Sequence, residues 1–355
     1  MKRIVLTGGG TAGHVTPNIA LLPGLRERGY EIFYIGSHQG IEKELIEKEG
    51  IPYFGIATGK LRRYIDPKNL SDPFRVVKGL LDARRLLRKL RPDVVFSKGG
   101  FVSVPVVFAA KSRHVPVLLH ESDMTPGLAN RLCIPHARKI CCNFPETLEN
   151  LPADKAVLTG SPIRKELLSG DADAGRALCT FTAERPVLLV LGGSLGSVKI
   201  NTEVRALLPE LLKEFQIVHL CGKGNLDPSL ASTPGYRQFE YVRRELPDLL
   251  AMADLILSRA GANAICEIRA LAKPNLLIPL SAEASRGDQI LNARSFEKQG
   301  FSMVLEESEL TKESLPDAIH ELYRRRECFH AAMQKAESRD AVTTILDLID
   351  EASLR

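Results

Sequence analysis

The sequence predicts an α/β protein made of two doubly wound, Rossmann-like parallel-sheet domains facing each other across a cleft. Three observations carry that prediction. Short β-branched or leucine-rich runs without polar alternation recur along the chain, as expected of parallel strands covered on both faces. Amphipathic stretches of helical period lie between them, giving a βαβ rhythm. The rhythm runs twice, and the first strand of each half ends in glycine. A length of 355 residues fits two domains at roughly 150 residues each.

In the first half, strands are expected at 3–6, 31–35, 94–97, 117–120, 139–142 and 156–159, with helical stretches at 21–28, 41–49 and 78–90. The helix after the first glycine loop starts at Thr16-Pro17, and Pro23-Gly24 should bend or end it early. In the second half, strands are expected at 187–191, 217–221, 255–258, 275–278 and 303–305, with a helical stretch at 202–214. Gly160-Ser-Pro-Ile-Arg164 reads as the hinge, placing the domains at 1–162 and 163–340. The apolar spacing of Val342, Ile345, Leu346 and Ile349 predicts a last helix at 341–354 that packs back on one of them.

Composition excludes several classes. With 44% hydrophobic and 26% charged residues the chain is an ordinary globular one rather than a disordered one. It holds no apolar run of about 18 residues, so no transmembrane helix is expected. Its N-terminus is too short in apolar residues for a secretory signal, so a cytosolic chain is expected. Seven cysteines without a C-x-x-C pair read as reduced, mostly buried thiols, with a redox role for adjacent Cys141 and Cys142 as the weaker alternative.

Charge is unevenly spread. Residues 1–163 hold 24 Lys/Arg against 15 Asp/Glu, whereas 164–355 hold 24 against 28, so the first half carries the whole cationic excess. Most of it lies in 60–113, where Arg75, Lys78, Arg84, Arg85 and Arg88 accompany an apolar stripe of Phe74, Val77 and Leu81. A core helix with a solvated basic face is one reading. Contact with an anionic membrane surface is the sharper one. Nucleic acid is disfavoured, because there is no recognition module and little aromatic interleaving.

Glycine turns mark the candidate site. Gly8-Gly9-Gly10-Thr11-Ala12-Gly13 fits G-x-G-x-x-G after a strand, where backbone N–H groups and a helix N-terminus favour an anion. An NAD site also needs a carboxylate closing the second strand, and Ile35-Gly36-Ser37-His38 has none there. His14 follows the loop, either bracing it or facing the cleft as a proton acceptor. Lys98-Gly99-Gly100 and His120-Glu121-Ser122-Asp123 are two further polar clusters where the chain leaves a strand. The second half repeats the pattern with Gly192-Gly193-Ser194-Leu195-Gly196-Ser197, then Ser258-Arg259-Ala260-Gly261, which suits a diphosphate. Glu267 would meet ribose hydroxyls or complement a helix dipole, and Asp288, Gln289 and Asn292 suit sugar hydroxyls.

These motifs resemble, in order and over essentially the whole chain, the MurG family of bacterial peptidoglycan N-acetylglucosaminyltransferases. The resemblance rests on GGGTAGHVTP at 8–17, GGFVSVP at 99–105, HES, PG and NR within 120–131, GSPIR at 160–164, GGSLGS at 192–197, SRAGA and CEI within 258–268, and DQILNA at 288–293. It implies a GT-B architecture, with the last helix crossing back to the first domain. It implies an inverting transfer of N-acetylglucosamine from UDP-N-acetylglucosamine to the muramic acid 4-hydroxyl of undecaprenyl-diphosphate-linked muramoyl-pentapeptide, a step of peptidoglycan synthesis. It further implies a peripheral place on the cytoplasmic face of the cell membrane, other cell-wall synthesis proteins as possible partners, and no cofactor or obligatory metal.

Residue by residue, the resemblance places Thr11, Ala12 and Gly13 near the donor sugar and diphosphate, and Arg164 and Ser194 on the nucleotide diphosphate. It places Val242 or a close neighbour on uracil, Glu267 on ribose and Gln289 on the acetamido sugar. Gly9, Gly10, Gly99 and Gly100 would hold the acceptor diphosphate, and His14 and then Glu121 are the candidate bases. The sequence departs from the family pattern at Ala12, where glycine is usual, at Ser122-Asp123, where Gln-Asn is common, and at Arg286-Gly287-Asp288, where many members have histidine beside the glutamine. Another GT-B transferase, with a different donor sugar, and a non-catalytic nucleotide-sugar binder are the competing readings. Donor competition separates the first, and radiolabel transfer to a lipid separates the second.

Overall fold

The structure, a computed structural model, describes residues 1–59, 72–193, 196–283, 287–336 and 340–354. The chain divides into two compact units, Met1–Arg164 with Arg339–Arg355, and Lys165–Ser338.

The first unit is a seven-stranded parallel sheet. Its strands are β1 (Lys2–Thr7), β2 (Tyr30–Ser37), β3 (Tyr53–Ile56), β4 (Val94–Ser97), β5 (Val117–Glu121), β6 (Lys139–Cys142) and β7 (Ala156–Leu158), in the order β3-β2-β1-β4-β5-β6-β7. The helices are α1 (Thr16–Glu27), α2 (Ile41–Lys48), α3 (Asp72–Leu90), α4 (Ser103–Lys111) and α5 (Leu128–Cys133). Apolar strand residues are buried on both faces. Val5, Ile35, Val95 and Leu119 pack in one core with α3 and α4, and Ile4, Leu6, Tyr34 and Phe96 pack in the other with α1. Runs such as Val94-Val-Phe-Ser97 therefore carry no polar alternation.

The second unit repeats the plan with α6 (Ala172–Cys179), β8 (Val187–Leu191), α7 (Val198–Ala206), α8 (Leu208–Leu211), β9 (Gln216–Leu220), β10 (Tyr236–Phe239), α9 (Leu246–Met252), β11 (Leu255–Ser258), α10 (Ala262–Ala270), β12 (Asn275–Leu277), α11 (Asp288–Lys298), β13 (Met303–Val304), α12 (Ser314–Arg324) and α13 (Arg326–Lys335). Its strand order is β10-β9-β8-β11-β12-β13. In both sheets the winding reverses beside the first strand, between β1 and β4 and between β8 and β11. Open α/β sheets bind ligands beyond the carboxyl ends of the strands at that reversal.

The last helix, α14 (Ala341–Ser353), belongs to the first unit. Its Ile345, Leu346 and Ile349 complete the core around α1, and Asp350 accepts hydrogen bonds from Lys2 Nζ at 2.8 Å, Arg28 at 2.7 Å and Tyr30 at 2.8 Å. This contact also explains a difference from the sequence reading. Helix α1 does not stop at Pro23-Gly24 but continues to Glu27. Pro23 lies exposed, while a Cβ on Gly24 would sit 2.3 Å from Leu346 Cδ1, so the glycine makes room for α14.

On helix α3 the core-facing one of the two sequence readings does not hold for the Val77–Leu81 stripe. Its buried face is Gly79, Ala83, Leu87 and Leu90, whereas Val77 and Leu81 are 57% and 58% exposed. The apolar stripe read from Val77 and Leu81 thus faces outward, among exposed Arg75, Lys78, Arg84, Arg85 and Arg88. The side chain of Phe74 lies outside the described residues. No helix among the described residues is long and apolar enough to cross a membrane.

Candidate active site

The first unit's site is built where β1, β4 and β5 end. Gly8, Gly10, Gly99 and Gly100 all have positive φ, between +82° and +155°, which a side chain rarely adopts. The two turns also pack against each other. A Cβ on Gly100 would lie 2.2 Å from the Gly9 carbonyl oxygen, and one on Gly10 would lie 2.8 Å from the Phe101 ring. From below, Tyr34 donates to the Gly8 carbonyl at 2.7 Å, and Asn18 Nδ2 reaches the Thr7 carbonyl at 3.3 Å. Burial pushes the Tyr34 phenol far up, so it stays a neutral donor.

Glu42, in the first turn of α2, is a group the sequence reading missed. Its fully buried carboxylate accepts from Ser37 N at 3.1 Å, Ser37 Oγ at 2.5 Å and Gly10 N at 3.3 Å. Buried carboxylate oxygens need such donors. Its position directly after the end of β2 is the sequence signal that could have found it.

His14 closes the short 3-10 turn Ala12–His14, with Nδ1 3.0 Å from the Gly9 carbonyl oxygen and 3.2 Å from Thr11 Oγ1. A carbonyl only accepts, so in the neutral ring Nδ1 carries the hydrogen and Nε2 carries the lone pair. Ala12 starts this turn and, among the described residues, is not one of the non-glycine residues with positive φ, which are Arg91, His114, Thr180 and Ala272, so a side chain is accommodated there. Thr11 is exposed, and Gly13 half-buried.

Glu121 is 5% exposed at the end of β5. Its Oε1 accepts from Asp123 N at 3.0 Å, and Oε2 accepts from Gly127 N at 3.1 Å and Asn130 Nδ2 at 2.8 Å. Burial raises its pKa, against the lowering effect of the Asn130 bond. These bonds staple the 121–127 loop. Beside it Lys98, buried after β4, bonds His120 Nδ1 at 2.7 Å and Ser122 Oγ, while His120 Nε2 donates to the Gly160 carbonyl at 3.0 Å. Burial, and then the Lys98 charge, push the His120 pKa well down, so the ring is neutral. Arg164 ends this unit and is half-buried.

The second unit's corner differs. Ser194 and Leu195 lie outside the described residues. Around them, Gly193 has φ +87° and, among the described residues, nothing within 4 Å of a Cβ placed on it, and Gly261, the N-cap of α10, is equally open to them at an ordinary φ of −66°. Glu267 is half-buried in the second turn of α10, so the helix-dipole reading of it fails, since that effect is confined to the first turn. Gln289 lies in the first turn of α11 and its Oε1 accepts the Leu280 amide at 3.1 Å, which turns the side-chain NH2 away from that contact. Asn292, expected at a sugar, is instead fully buried and donates to the Ala260 carbonyl at 3.3 Å. Val242 is 8% exposed while its neighbour Tyr241 is 58% exposed.

All seven cysteines are thiols rather than disulfide halves, and five of the seven are buried. Burial pushes the Cys141 thiol up to about 12, which removes the thiolate that redox chemistry needs. Among the described residues no group of three or more His, Cys, Asp or Glu side chains could hold a metal ion.

Comparison with known proteins adds a family. Residues 4–142 match the glycosyltransferase family 28 N-terminal domain, and residues 187–349 match its C-terminal domain. The chain is 64% identical over 353 residues to the UDP-N-acetylglucosamine--N-acetylmuramyl-(pentapeptide) pyrophosphoryl-undecaprenol N-acetylglucosamine transferase of Lachnospira eligens, covering 99% of this chain and 100% of that protein. It is 63% identical over 355 residues to the protein of the same name from Lachnoclostridium phytofermentans, covering both in full. Among solved structures, Acinetobacter baumannii MurG superposes with a TM-score of 0.78 at 25% identity, over 99% of this chain and 100% of that one. The calicheamicin glycosyltransferase CalG4, at 14% identity and a TM-score of 0.71 over 99% and 98% of the two chains, shares the GT-B fold.

Proposed function

We propose, from the premise that this chain belongs to glycosyltransferase family 28, how its residues carry out the transfer that its MurG relatives are named for. The enzyme moves N-acetylglucosamine from UDP-N-acetylglucosamine to undecaprenyl-diphosphate-linked muramoyl-pentapeptide. The acceptor's muramic acid 4-hydroxyl attacks the anomeric carbon of the donor sugar. His14 Nε2 takes the hydroxyl proton, the bond to the UDP oxygen breaks, and the configuration inverts. The observation that carries this reading is the His14 ring held through Nδ1 by the Gly9 carbonyl, which leaves the basic lone pair on Nε2. Glu121, with three donors on its carboxylate, orders the acceptor loop rather than moving the proton.

Charge develops on the departing diphosphate, and fixed donors aimed at it lower the barrier. Backbone N–H groups of the 192–197 loop and of the α10 N-terminus, with Arg164 and Ser194, supply them. Glu267 meets the ribose, Val242 the uracil and Gln289 the acetamido sugar. Thr11, Ala12 and Gly13 border the transferred sugar. Gly9, Gly10, Gly99 and Gly100 present backbone to the acceptor diphosphate.

The acceptor is lipid-borne, and the outward face of α3 suits its surface. Val77 and Leu81 stand exposed among Arg75, Lys78, Arg84, Arg85 and Arg88, with exposed Phe108, Leu128 and Leu132 in the same unit. Apolar side chains entering the interface among cations that meet anionic headgroups give peripheral binding, at about 1 kcal/mol per cation. This reading puts the protein on the cytoplasmic membrane face.

Radiolabelled UDP-N-acetylglucosamine and a lipid-linked muramoyl-pentapeptide test the reading directly. Label should pass to the lipid, and excess UDP-glucose or UDP-galactose should compete poorly. Label that stays on the nucleotide would leave only a binder, and transfer from UDP-galactose would assign another donor.

A further inference from the structure

Arg259 follows β11 and has a side chain only 11% exposed. One terminal nitrogen donates to the carbonyls of Ile278 at 3.2 Å and Pro279 at 3.4 Å, beyond the end of β12. The other donates to Ser197 Oγ at 2.6 Å and to Glu307 Oε1. Glu307 lies past β13, and its second oxygen accepts the Ser281 amide at 3.4 Å. Four strand-end segments of the second unit, those after β8, β11, β12 and β13, are thus joined through one guanidinium and one carboxylate.

The geometry decides what this arginine does. Each terminal nitrogen has two protein acceptors, and its charge is met by Glu307. It is therefore turned inward as a brace and not outward as a phosphate ligand. Its hold on Ser197 matters most. Ser197 is the N-cap of α7, with Oγ also accepting from Ile200 N at 3.3 Å. With two donors on its oxygen, the lone pairs are filled and the hydroxyl has only its own proton left to give. Ser197 closes the glycine loop at the start of α7, so the clamp fixes that end of the loop against the end of β11.

We propose that Glu307 is a positioning residue for donor binding, acting through Arg259 on Ser197 to fix the Gly196-Ser197 end of the glycine loop where it enters α7. The proposal rests on the reading of that loop as the donor diphosphate site. Truncating one member of a half-buried pair leaves the other charge to find new partners, so the guanidinium shifts and the loop loses its anchor.

UDP is the probe, titrated calorimetrically into the full chain. Glu307→Gln should raise the UDP dissociation constant about tenfold. It should raise the donor KM to a similar extent while leaving kcat at saturating donor and the acceptor KM near wild type. Glu307→Asp should recover part of the loss. Ser197→Ala, which leaves the ion pair intact, should weaken UDP binding too, and the double variant should lose less than the two single losses combined. It also keeps the test open if Glu307→Gln folds poorly. An unchanged UDP affinity in a folded Glu307→Gln, or strictly additive losses in the cycle, overturns the clamp. A wild-type chain that does not bind UDP overturns the donor-site reading itself.

Discussion

The two glycine corners look alike in sequence and are built for different ends. In the first unit the glycines are required by the protein itself, since Gly100 lies against the Gly9 carbonyl, Gly10 against Phe101 and Gly99 against Asn130. The corner is a packed platform, braced by Glu42, Tyr34 and Asn18, on which His14 is held at a defined tautomer. In the second unit no described residue comes within 4 Å of a Cβ placed on Gly193 or Gly261. Gly261 has neither an unusual φ nor, among the described residues, a close protein neighbour, which suits the proposed diphosphate site. The lesson is that a glycine-rich turn can mark a rigid support for chemistry or a vacancy for a ligand, and only the third dimension separates them.

The sharpest way to break this contrast is at His14. His14→Ala should lower kcat by about 10²–10⁴-fold, the usual worth of a general base, with UDP affinity unchanged. Near-normal turnover would move the base elsewhere, and a parallel loss of UDP affinity would merge the two roles. Next in size is Gly100→Ala. Its φ of +82° and a Cβ 2.2 Å from a backbone oxygen combine strain with collision, so a loss of about 1–3 kcal/mol or more is expected in denaturant unfolding. Gly193→Ala, with a similar φ of +87° but open space, should lose less. Equal losses at the two positions would erase the distinction between a packed corner and an open one.

The smallest effect concerns the tether of α14. Burial alone would raise the Asp350 carboxyl, but bonds from Lys2, Tyr30 and Arg28 outweigh it and hold it below the usual carboxylate value. A carboxyl depressed in the fold stabilises at pH above its unfolded pKa of about 3.9, and that stabilisation is lost as pH falls through the folded value. Asp350→Asn should therefore lower Tm by about 2 °C at pH 7 and by less near pH 3. A Tm difference that grows toward acid would contradict that sign.

Much of this plan was legible from residues alone, because buried parallel strands are short, apolar and unalternating. Val94–Ser97, Lys139–Cys142, Val187–Leu191 and Leu255–Ser258 are strands with the bounds their apolar runs predict. Two edge strands were not legible. Tyr236–Phe239 mixes Arg237 and Gln238 between aromatics, and Tyr53–Ile56 contains Gly55, so neither forms an apolar run. Local pattern also misjudged Pro23-Gly24 and left the α3 stripe open between a core and a surface face, because each depends on what packs alongside. At the site, the strand-end clusters were visible, but their wiring was not. Glu42 reaches Gly10 across 32 residues, Lys98 reaches His120 across 22, and Arg259 reaches Glu307 across 48. No spacing rule joins such pairs. Only the parallel sheet, which brings successive strand ends to one edge, does so.

The contrast is tested most directly at Gly261, by titrating UDP into Gly261→Ala and following its thermal unfolding. A methyl there meets nothing within 4 Å among the described residues and keeps an allowed φ of −66°, so Tm should hold or rise slightly. The UDP dissociation constant should rise about tenfold, because the methyl intrudes on bound diphosphate rather than on protein. Wild-type UDP affinity in that variant would contradict the account, since the open corner would then be no ligand's place.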